Sequence, residues 1–175
     1  MDALTDRKDY PGDLASPEQV LELANEYRTA ALALVAQGKR GKPLTWAPFR
    51  LTAIHALELY LNALLLRGGA RPSVVRGMRH DLVLRVEAAT KMGLGLRVRT
   101  AAHLRGLHQT REYLITRYGP ELAGTNSQVN RLAATLNEVA EKVEKLCLTS
   151  HEIGAAPLET RPPSNKVSDC NRVGN

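Results

Sequence analysis

Apolar residues recur at helical spacing in several stretches of the chain. The first stretch follows Ser16-Pro17-Glu18-Gln19, where Ser16 can cap a helix and Pro17 can occupy its first position. The apolar positions that follow are three or four residues apart: Val20, Ala24, Tyr27, Ala31 and Leu34. This pattern predicts an amphipathic helix that ends at Gly38.

The second stretch, from about Trp46 to Leu66, is apolar around most of its circumference. A helix that is apolar on all sides must be buried, so this one is predicted to be the central helix. Gly68 is placed to close it in the left-handed conformation. A narrow polar line interrupts it at His55, Glu58 and Asn62.

Three more helices are predicted, over residues 81–92, 98–118 and 127–148, with Asp81 near the start of the first. The sequence therefore predicts an all-α fold, an up-and-down helical bundle of four long helices plus one short helix. The bundle covers residues 16–148. Residues 1–15 are predicted to be a flexible N-terminal segment and residues 149–175 a disordered tail, because Gly, Pro, Ser and Asn recur there without periodicity.

A charged pair is expected inside this bundle. Glu58 is costly to bury on an apolar helix unless it is paired, and Arg111 falls within the apolar stripe of the helix over 98–118. We expect the two to face each other in a polar core made of His55, Glu58, Arg111 and Tyr118. The pair either fixes the register of two core helices, which is the interpretation we favour, or belongs to a functional site.

Composition sets the class of the protein. A chain of 175 residues fits one domain, and aromatic residues are only 4%, which favours helices over strands. The N-terminus lacks the apolar region of a secretory signal, and the stretch from Ile54 to Leu66 is expected to be too short and too polar to span a membrane. Cys147 and Cys170 lack metal-ligand spacing and suit a reducing compartment. We expect a cytoplasmic protein with no metal and no cofactor.

Positive charge is concentrated in the middle of the chain. Residues 38–118 contain fifteen Lys and Arg against four Asp and Glu, a net charge of +11, whereas the whole chain carries +6. This distribution is typical of a phosphate or nucleic-acid partner, although an acidic protein surface would fit it as well. The candidate ligand-binding residues are Arg76, Arg79, His80, Arg111 and Arg117. His80 either meets a phosphate at a helix start or belongs to the helix cap.

Three motifs in order resemble the HEPN family (higher eukaryotes and prokaryotes nucleotide-binding domain), in its prokaryotic branch. The run from Ala53 to Gly68 is similar to the family's alanine-rich central helix, although Asn62 stands where a basic residue is usual. His80-Asp81-Leu82 matches the family's next helix start. The final helix is matched by Arg111, Tyr113, Arg117 and Tyr118, followed by Gly119-Pro120.

The resemblance implies a helical bundle, often a homodimer, that binds nucleotide, RNA or a nucleotidyltransferase partner through its basic region, here without catalysis of its own. One alternative is a metal-independent RNase of a toxin–antitoxin or defence system, which would have an antitoxin partner. A purely structural helical adaptor is the other.

The RNase branch has an arginine followed by four to six residues and a histidine. Arg50 with His55 and Arg97 with His103 match that spacing, about as many pairs as the arginine content gives by chance. No residue set defines a catalytic site; His80, Arg76 and Arg111 are the candidates.

Overall fold

The computed structural model describes residues 10–153, which contain helices and no β-strand. The prediction of an all-α fold is therefore confirmed for this part of the chain. The α-helices are α1 Pro17–Leu34, α2 Ala47–Arg67, α3 Pro72–Gly77, α4 Leu82–Lys91, α5 Val98–Gln109, α6 Glu112–Tyr118 and α7 Val129–Ile153. Short 3-10 turns lie at Val35–Gln37, Pro43–Trp46 and Pro120–Thr125.

The predicted cap of α1 is present. The Ser16 side chain accepts a hydrogen bond from the backbone N–H of Gln19 (3.2 Å), and the Gln19 side chain accepts one from the backbone N–H of Ser16 (2.9 Å). This reciprocal box satisfies two backbone donors that a helix start would otherwise leave unpaired. The helix then packs along α2, with Ala24 and Ala31 fully buried.

α2 is the central helix, as predicted. It packs against α1, α4, α6 and α7, and thirteen of its 21 residues are buried. Tyr60 is fully buried, and its hydroxyl donates a hydrogen bond to Asn25 of α1.

The glycine prediction at the end of α2 was wrong by one residue. Gly68 has a φ of −74°, and Gly69 takes the left-handed conformation at +87°. Gly68 lies against the side chain of Met92, since a Cβ there would come within 2.5 Å of the Met92 sulfur and this side chain would have to shift. The pair of glycines thus closes α2 and lets the end of α4 approach it.

The helix predicted over 98–118 is broken. α5 ends at Gln109, Arg111 takes a left-handed conformation (φ 53°), and α6 begins at Glu112. In an unbroken helix Arg111 would lie four residues after the buried Leu107, on the core side. The break changes the phase, so that Glu112 is buried and Arg111 is exposed.

The remaining boundaries are close to those predicted. α4 begins after Asp81, whose side chain accepts a hydrogen bond from the backbone N–H of Leu84 (2.9 Å). The six-residue α3 falls in a region predicted as a turn. α7 continues five residues beyond the predicted end at Leu148. Residues 1–9 and 154–175, most of the predicted N-terminal segment and tail, lie outside the described residues.

Within the described chain, Pro43–Arg67 is long and apolar enough to cross a membrane by length and composition. This segment is longer than the stretch from Ile54 to Leu66 that the sequence argument considered. About two thirds of the apolar window, 67%, is buried inside the bundle, as the central helix of a packed protein also requires.

Candidate functional site

Glu58 lies buried on α2, where the sequence predicted a polar core. Its carboxylate faces the imidazole of His80, with Nδ1 3.0 Å from Oε1 and 3.3 Å from Oε2. His55, one helical turn before Glu58, places its own Nδ1 3.9 Å from Oε2. The carboxylate therefore lies between two histidines, one from its own helix and one from the loop between α3 and α4.

This environment keeps Glu58 ionised. Burial by itself raises the pKa of Glu58, but the contacts with His55 and His80 and the charge of Arg85 outweigh burial and hold the pKa below its usual range. A carboxylate anion can only accept hydrogen bonds, so the Nδ1 atom of His80 carries a proton and donates a hydrogen bond to Glu58.

The ring of His80 is held in place from a second side by Tyr113 of α6, with ring centroids 5.0 Å apart. The Nε2 atom of His80 has no hydrogen-bond partner among the described residues, and the side chain is 40% exposed. Glu58 and Tyr113 together fix an imidazole whose second nitrogen is free to contact a ligand.

Asp81, the residue after His80, forms a second contact between the α3–α4 junction and the α5–α6 junction. It caps α4, and its Oδ1 also lies 3.5 Å from Nδ1 of His108 near the end of α5. The α3–α4 junction and the α5–α6 junction therefore touch at two points, His80 with Tyr113 and Asp81 with His108. Asp81 fulfils the predicted capping role, whereas His80 bonds to Glu58 and not to the backbone of the cap.

Each junction carries an arginine in a conformation that L-residues rarely adopt. Arg79 (φ 47°) and Arg111 (φ 53°) are the non-glycine residues with positive φ among residues 10–153. Both side chains are exposed. A non-glycine residue in this region costs about 1–3 kcal/mol, and such residues cluster at functional sites. Arg79 directly precedes His80, and Arg111 precedes Tyr113 by two residues.

The predicted contact between Glu58 and Arg111 was wrong, and so was the placement of Arg111 and Tyr118 in the core. The break in the helix turns Arg111 outward, and Tyr118, the last residue of α6, is 76% exposed. Glu58 contacts His80 instead. Two of the four residues of the predicted polar core, His55 and Glu58, lie next to each other, and the other two are exposed.

An ion pair does join α2 to the start of α6, but its charges are reversed: the base is on α2 and the acid is on α6. Arg50 of α2 donates from Nη1 to Oε1 of Glu112 (2.5 Å) and from Nη2 to the backbone carbonyl of Ser127 (2.5 Å). Glu112 in turn accepts the backbone N–H of Ser127 at 2.9 Å. Side-chain exposure is 6% for Arg50 and 1% for Glu112, so this cluster fixes the packing of α2, α6 and the start of α7.

The two arginine–histidine pairs with the RNase-type spacing, Arg50 with His55 and Arg97 with His103, do not form a common site. Arg50 is committed to Glu112, while His55 lies beside Glu58 and packs edge-on against Tyr27 at 4.5 Å. His103 is buried, and its Nδ1 bonds to Thr135 of α7 at 2.7 Å. Burial lowers the pKa of His103, which favours the neutral ring.

The predicted ligand-binding residues are not all directed to one place. Arg76 contacts the N-terminal segment, where it pairs with Asp13 and stacks over the ring of Tyr10 at 4.3 Å. Arg117 is exposed near the end of α6. Arg79, His80 and Arg111 remain at the two touching junctions, which we call the junction site.

Arg85 is a further polar residue that the sequence reasoning missed. It is 3% exposed on α4, donates from Nε to Asn62 of α2 (2.8 Å), and donates from Nη1 to the backbone carbonyls of Met78 and Asp81 (3.2 and 3.1 Å). Its position three residues after the apolar Leu82 was the available signal, since that spacing places it on the buried face of α4.

No group of three or more His, Cys, Asp or Glu that could hold a metal ion is found in residues 10–153. No protein-family model, curated protein or solved structure matches the chain.

Proposed function

We propose that the chain is a HEPN-like helical module that binds the phosphodiester backbone of RNA at the junction site, without catalysis of its own. The observation that carries the proposal is His80, an imidazole fixed by the buried carboxylate of Glu58 and directly preceded by the exposed Arg79. The proposal includes the up-and-down arrangement of the family's bundle, a cytoplasmic location and a homodimer.

The chemistry of the junction site fits a phosphate better than a neutral ligand. Arg79 and Arg111 supply exposed guanidinium groups, which pair with phosphate oxygens through two parallel hydrogen bonds. The acidic side chains next to them in sequence have other partners: Asp81 accepts the backbone N–H of Leu84 at the start of α4, and Glu112 is paired with Arg50. The guanidinium groups of Arg79 and Arg111 form no ion pair with an acidic side chain among the described residues, so both can pair with a ligand.

A nucleotide is the smallest ligand that these groups could bind, and a single strand of RNA is the larger ligand that the basic middle of the chain favours. Phosphate contacts release counterions, so the affinity should fall as salt increases, with a slope of about 0.7 for each phosphate contact to a single strand.

The test is fluorescence anisotropy with a labelled single-stranded RNA over a series of salt concentrations. Arg79 and Arg111 are both changed to Asn, which tolerates the left-handed backbone. We expect weaker binding and a salt slope reduced by about 1.4 for the loss of two contacts. The matched control changes two other exposed arginines, Arg40→Asn and Arg105→Gln, and should keep most of the binding. Equal losses in both double variants would contradict the junction site, and no binding by the native chain would leave a structural adaptor as the better description.

A metal-independent RNase is the second candidate, because the contact between Glu58 and His80 resembles the carboxylate–histidine pairs that orient a general base. In this case Nε2 of His80 would take the proton of a 2′-hydroxyl, and the 2′-oxygen would attack phosphorus and displace the 5′-oxygen, which would take up a proton from water. Cleavage in EDTA that His80→Gln abolishes, and that a 2′-deoxy substrate resists, would support this function over simple binding.

Partner proteins enter the proposal through the family resemblance, as a nucleotidyltransferase or an antitoxin. Light scattering of the purified chain tests the homodimer directly. Growth of cells that express the chain tests the toxin alternative, since arrest that His80→Gln relieves is expected only of a toxin.

A further inference from the structure

A cavity of about 280 Å³ lies between α1, α2 and α3, apart from the junction site. Its apolar walls are formed by Val20 and Leu23 of α1, Leu59 and Leu66 of α2, and Val75 of α3. Arg85 and Asn62 provide polar groups in the wall, and the segment Tyr10–Asp13 forms one side. An apolar pocket with a few polar groups at one place is the usual form of a small-molecule site.

We propose that this cavity binds a medium-chain carboxylic acid, with the carboxylate on Arg85 and the apolar chain between α1, α2 and α3. The inference is independent of the proposed RNA binding, because the cavity is formed without Arg79, His80 or Arg111.

Arg85 is the reason for expecting an anion. Its guanidinium is buried, yet the partners of its Nε and Nη1 atoms are an amide oxygen and two carbonyl oxygens, all of them uncharged. Its Nη2 atom has no hydrogen-bond partner among the described residues. The carboxylates of Glu58 and Asp81 act on the charge of Arg85 but accept no hydrogen bond from its guanidinium, so a carboxylate that reaches Nη2 would gain a charge-assisted hydrogen bond.

The charge around the cavity limits the ligand to a single negative charge. The other guanidinium in the wall, that of Arg76, is already paired with Asp13 and covered by the ring of Tyr10. One guanidinium nitrogen of Arg85 without a hydrogen-bond partner among the described residues, together with otherwise apolar walls, suits a monocarboxylate. A phosphate monoester carries a second charge that would have no partner in the cavity.

The size of the cavity sets the length of the apolar chain. A dry cavity of about 150 Å³ accepts a benzene ring. The present volume is nearly twice as large, so it fits an acid of about eight carbons, including the carboxylate. The contacts of Arg76 with Tyr10 and Asp13 hold the segment that forms one side of the cavity.

Calorimetry of the full chain with octanoate below its micelle range and with 1-octanol below its solubility limit compares the same chain length with and without the charge. We expect octanoate to bind about tenfold to a hundredfold more tightly than octanol, as a hydrogen bond to a charged group implies. Equal affinities, or no heat from octanoate, would overturn the proposal.

Two variants locate the site. Leu23→Trp enlarges a side chain at the rim of the cavity, where Leu23 is 46% exposed, and should abolish octanoate binding. Leu32→Trp, at a 40% exposed position of the same helix outside the cavity wall, should leave binding unchanged. Equal effects of the two variants would place the ligand elsewhere.

Arg85→Met tests the charge itself, because it keeps a long apolar side chain and should remove the preference for octanoate over octanol. If this variant does not fold, the comparison of acid with alcohol and the pair of Trp variants still decide the proposal. A preference for octanoate that persists in folded Arg85→Met would refute the assignment of the carboxylate to Arg85.

Discussion

The removal of the charge of Glu138 should destabilise the bundle in a pH-dependent way. Glu138 lies on α7, 8% exposed, and accepts hydrogen bonds from the backbone N–H of Arg97 (2.8 Å), the hydroxyl of Thr100 (2.5 Å) and the ammonium of Lys142 (2.8 Å). It therefore caps the N-terminus of α5, where Arg97 contributes no side-chain cap. A carboxylate at a helix start also interacts favourably with the helix dipole.

The magnitude follows from the pKa of Glu138. Burial by itself raises this pKa, but the hydrogen bonds from Lys142, Thr100 and the Arg97 backbone outweigh burial and lower the pKa from 4.5 to about 2. The unfolded chain then binds more protons than the folded chain between these two values, so this contribution to stability is complete above pH 4.5 and is lost as the pH falls towards 2. A shift of this size corresponds to about 3 kcal/mol near neutral pH and about 1.4 kcal/mol near pH 3.

Urea unfolding of the native chain and of Glu138→Gln, followed by circular dichroism, measures the free energy of unfolding near neutral pH and near pH 3. We expect the variant to lose about 2–3 kcal/mol near neutral pH and much less near pH 3. Glu141→Gln is the matched control, since Glu141 is an exposed residue of the same helix and its change should cost less than about 0.5 kcal/mol. A loss for Glu138→Gln that is the same at both pH values would refute the argument, because the stability would then not come from the ionised carboxylate.

Three further changes test other contacts. Because burial lowers the pKa of His103 below 6.5, stability should fall as the pH decreases from about 6.5, and urea unfolding of His103→Gln should show a weaker fall over that window. Arg50→Met leaves Glu112 buried without its counterion and should cost about 3–5 kcal/mol, whereas the double change with Glu112→Leu should recover much of that in the same assay. Gly69→Ala, at φ +87°, should lower the melting temperature by the equivalent of about 1 kcal/mol, while Gly77→Ala, which has open space around it, should not.

The helices that the sequence predicted well are those whose signals are local. The cap of α1 depends on two residues three positions apart, and the burial of α2 follows from its own composition, so no knowledge of the rest of the fold is needed for either. The contact between Gly68 and Met92 could not be predicted in the same way, because it depends on which helix approaches the glycine.

The candidate site was predicted only in part, for the same reason. The break between α5 and α6 contains neither glycine nor proline, so no residue at the break signals the left-handed conformation that Arg111 adopts. The break shifts the buried position by one residue, so Glu112 enters the core and Arg111 does not. The buried charge at this position is therefore negative, whereas the sequence predicted a positive one. The contact of Glu58 with His80 joins residues 22 positions apart. It depends on how the loop between α3 and α4 packs against α2, which no local sequence pattern specifies.

The cluster of Arg50, Glu112 and Ser127 has a consequence for how the chain can be modified. Glu112 binds the backbone of Ser127 directly, so the stretch between them begins and ends at one buried anchor. The 3-10 turn Pro120–Thr125 within this stretch is largely exposed. Since each doubling of loop length costs only about 0.6 kcal/mol in closure entropy, the turn is the position at which a tag, a reporter domain or new chain termini can be introduced while the anchor keeps α6 and α7 in register.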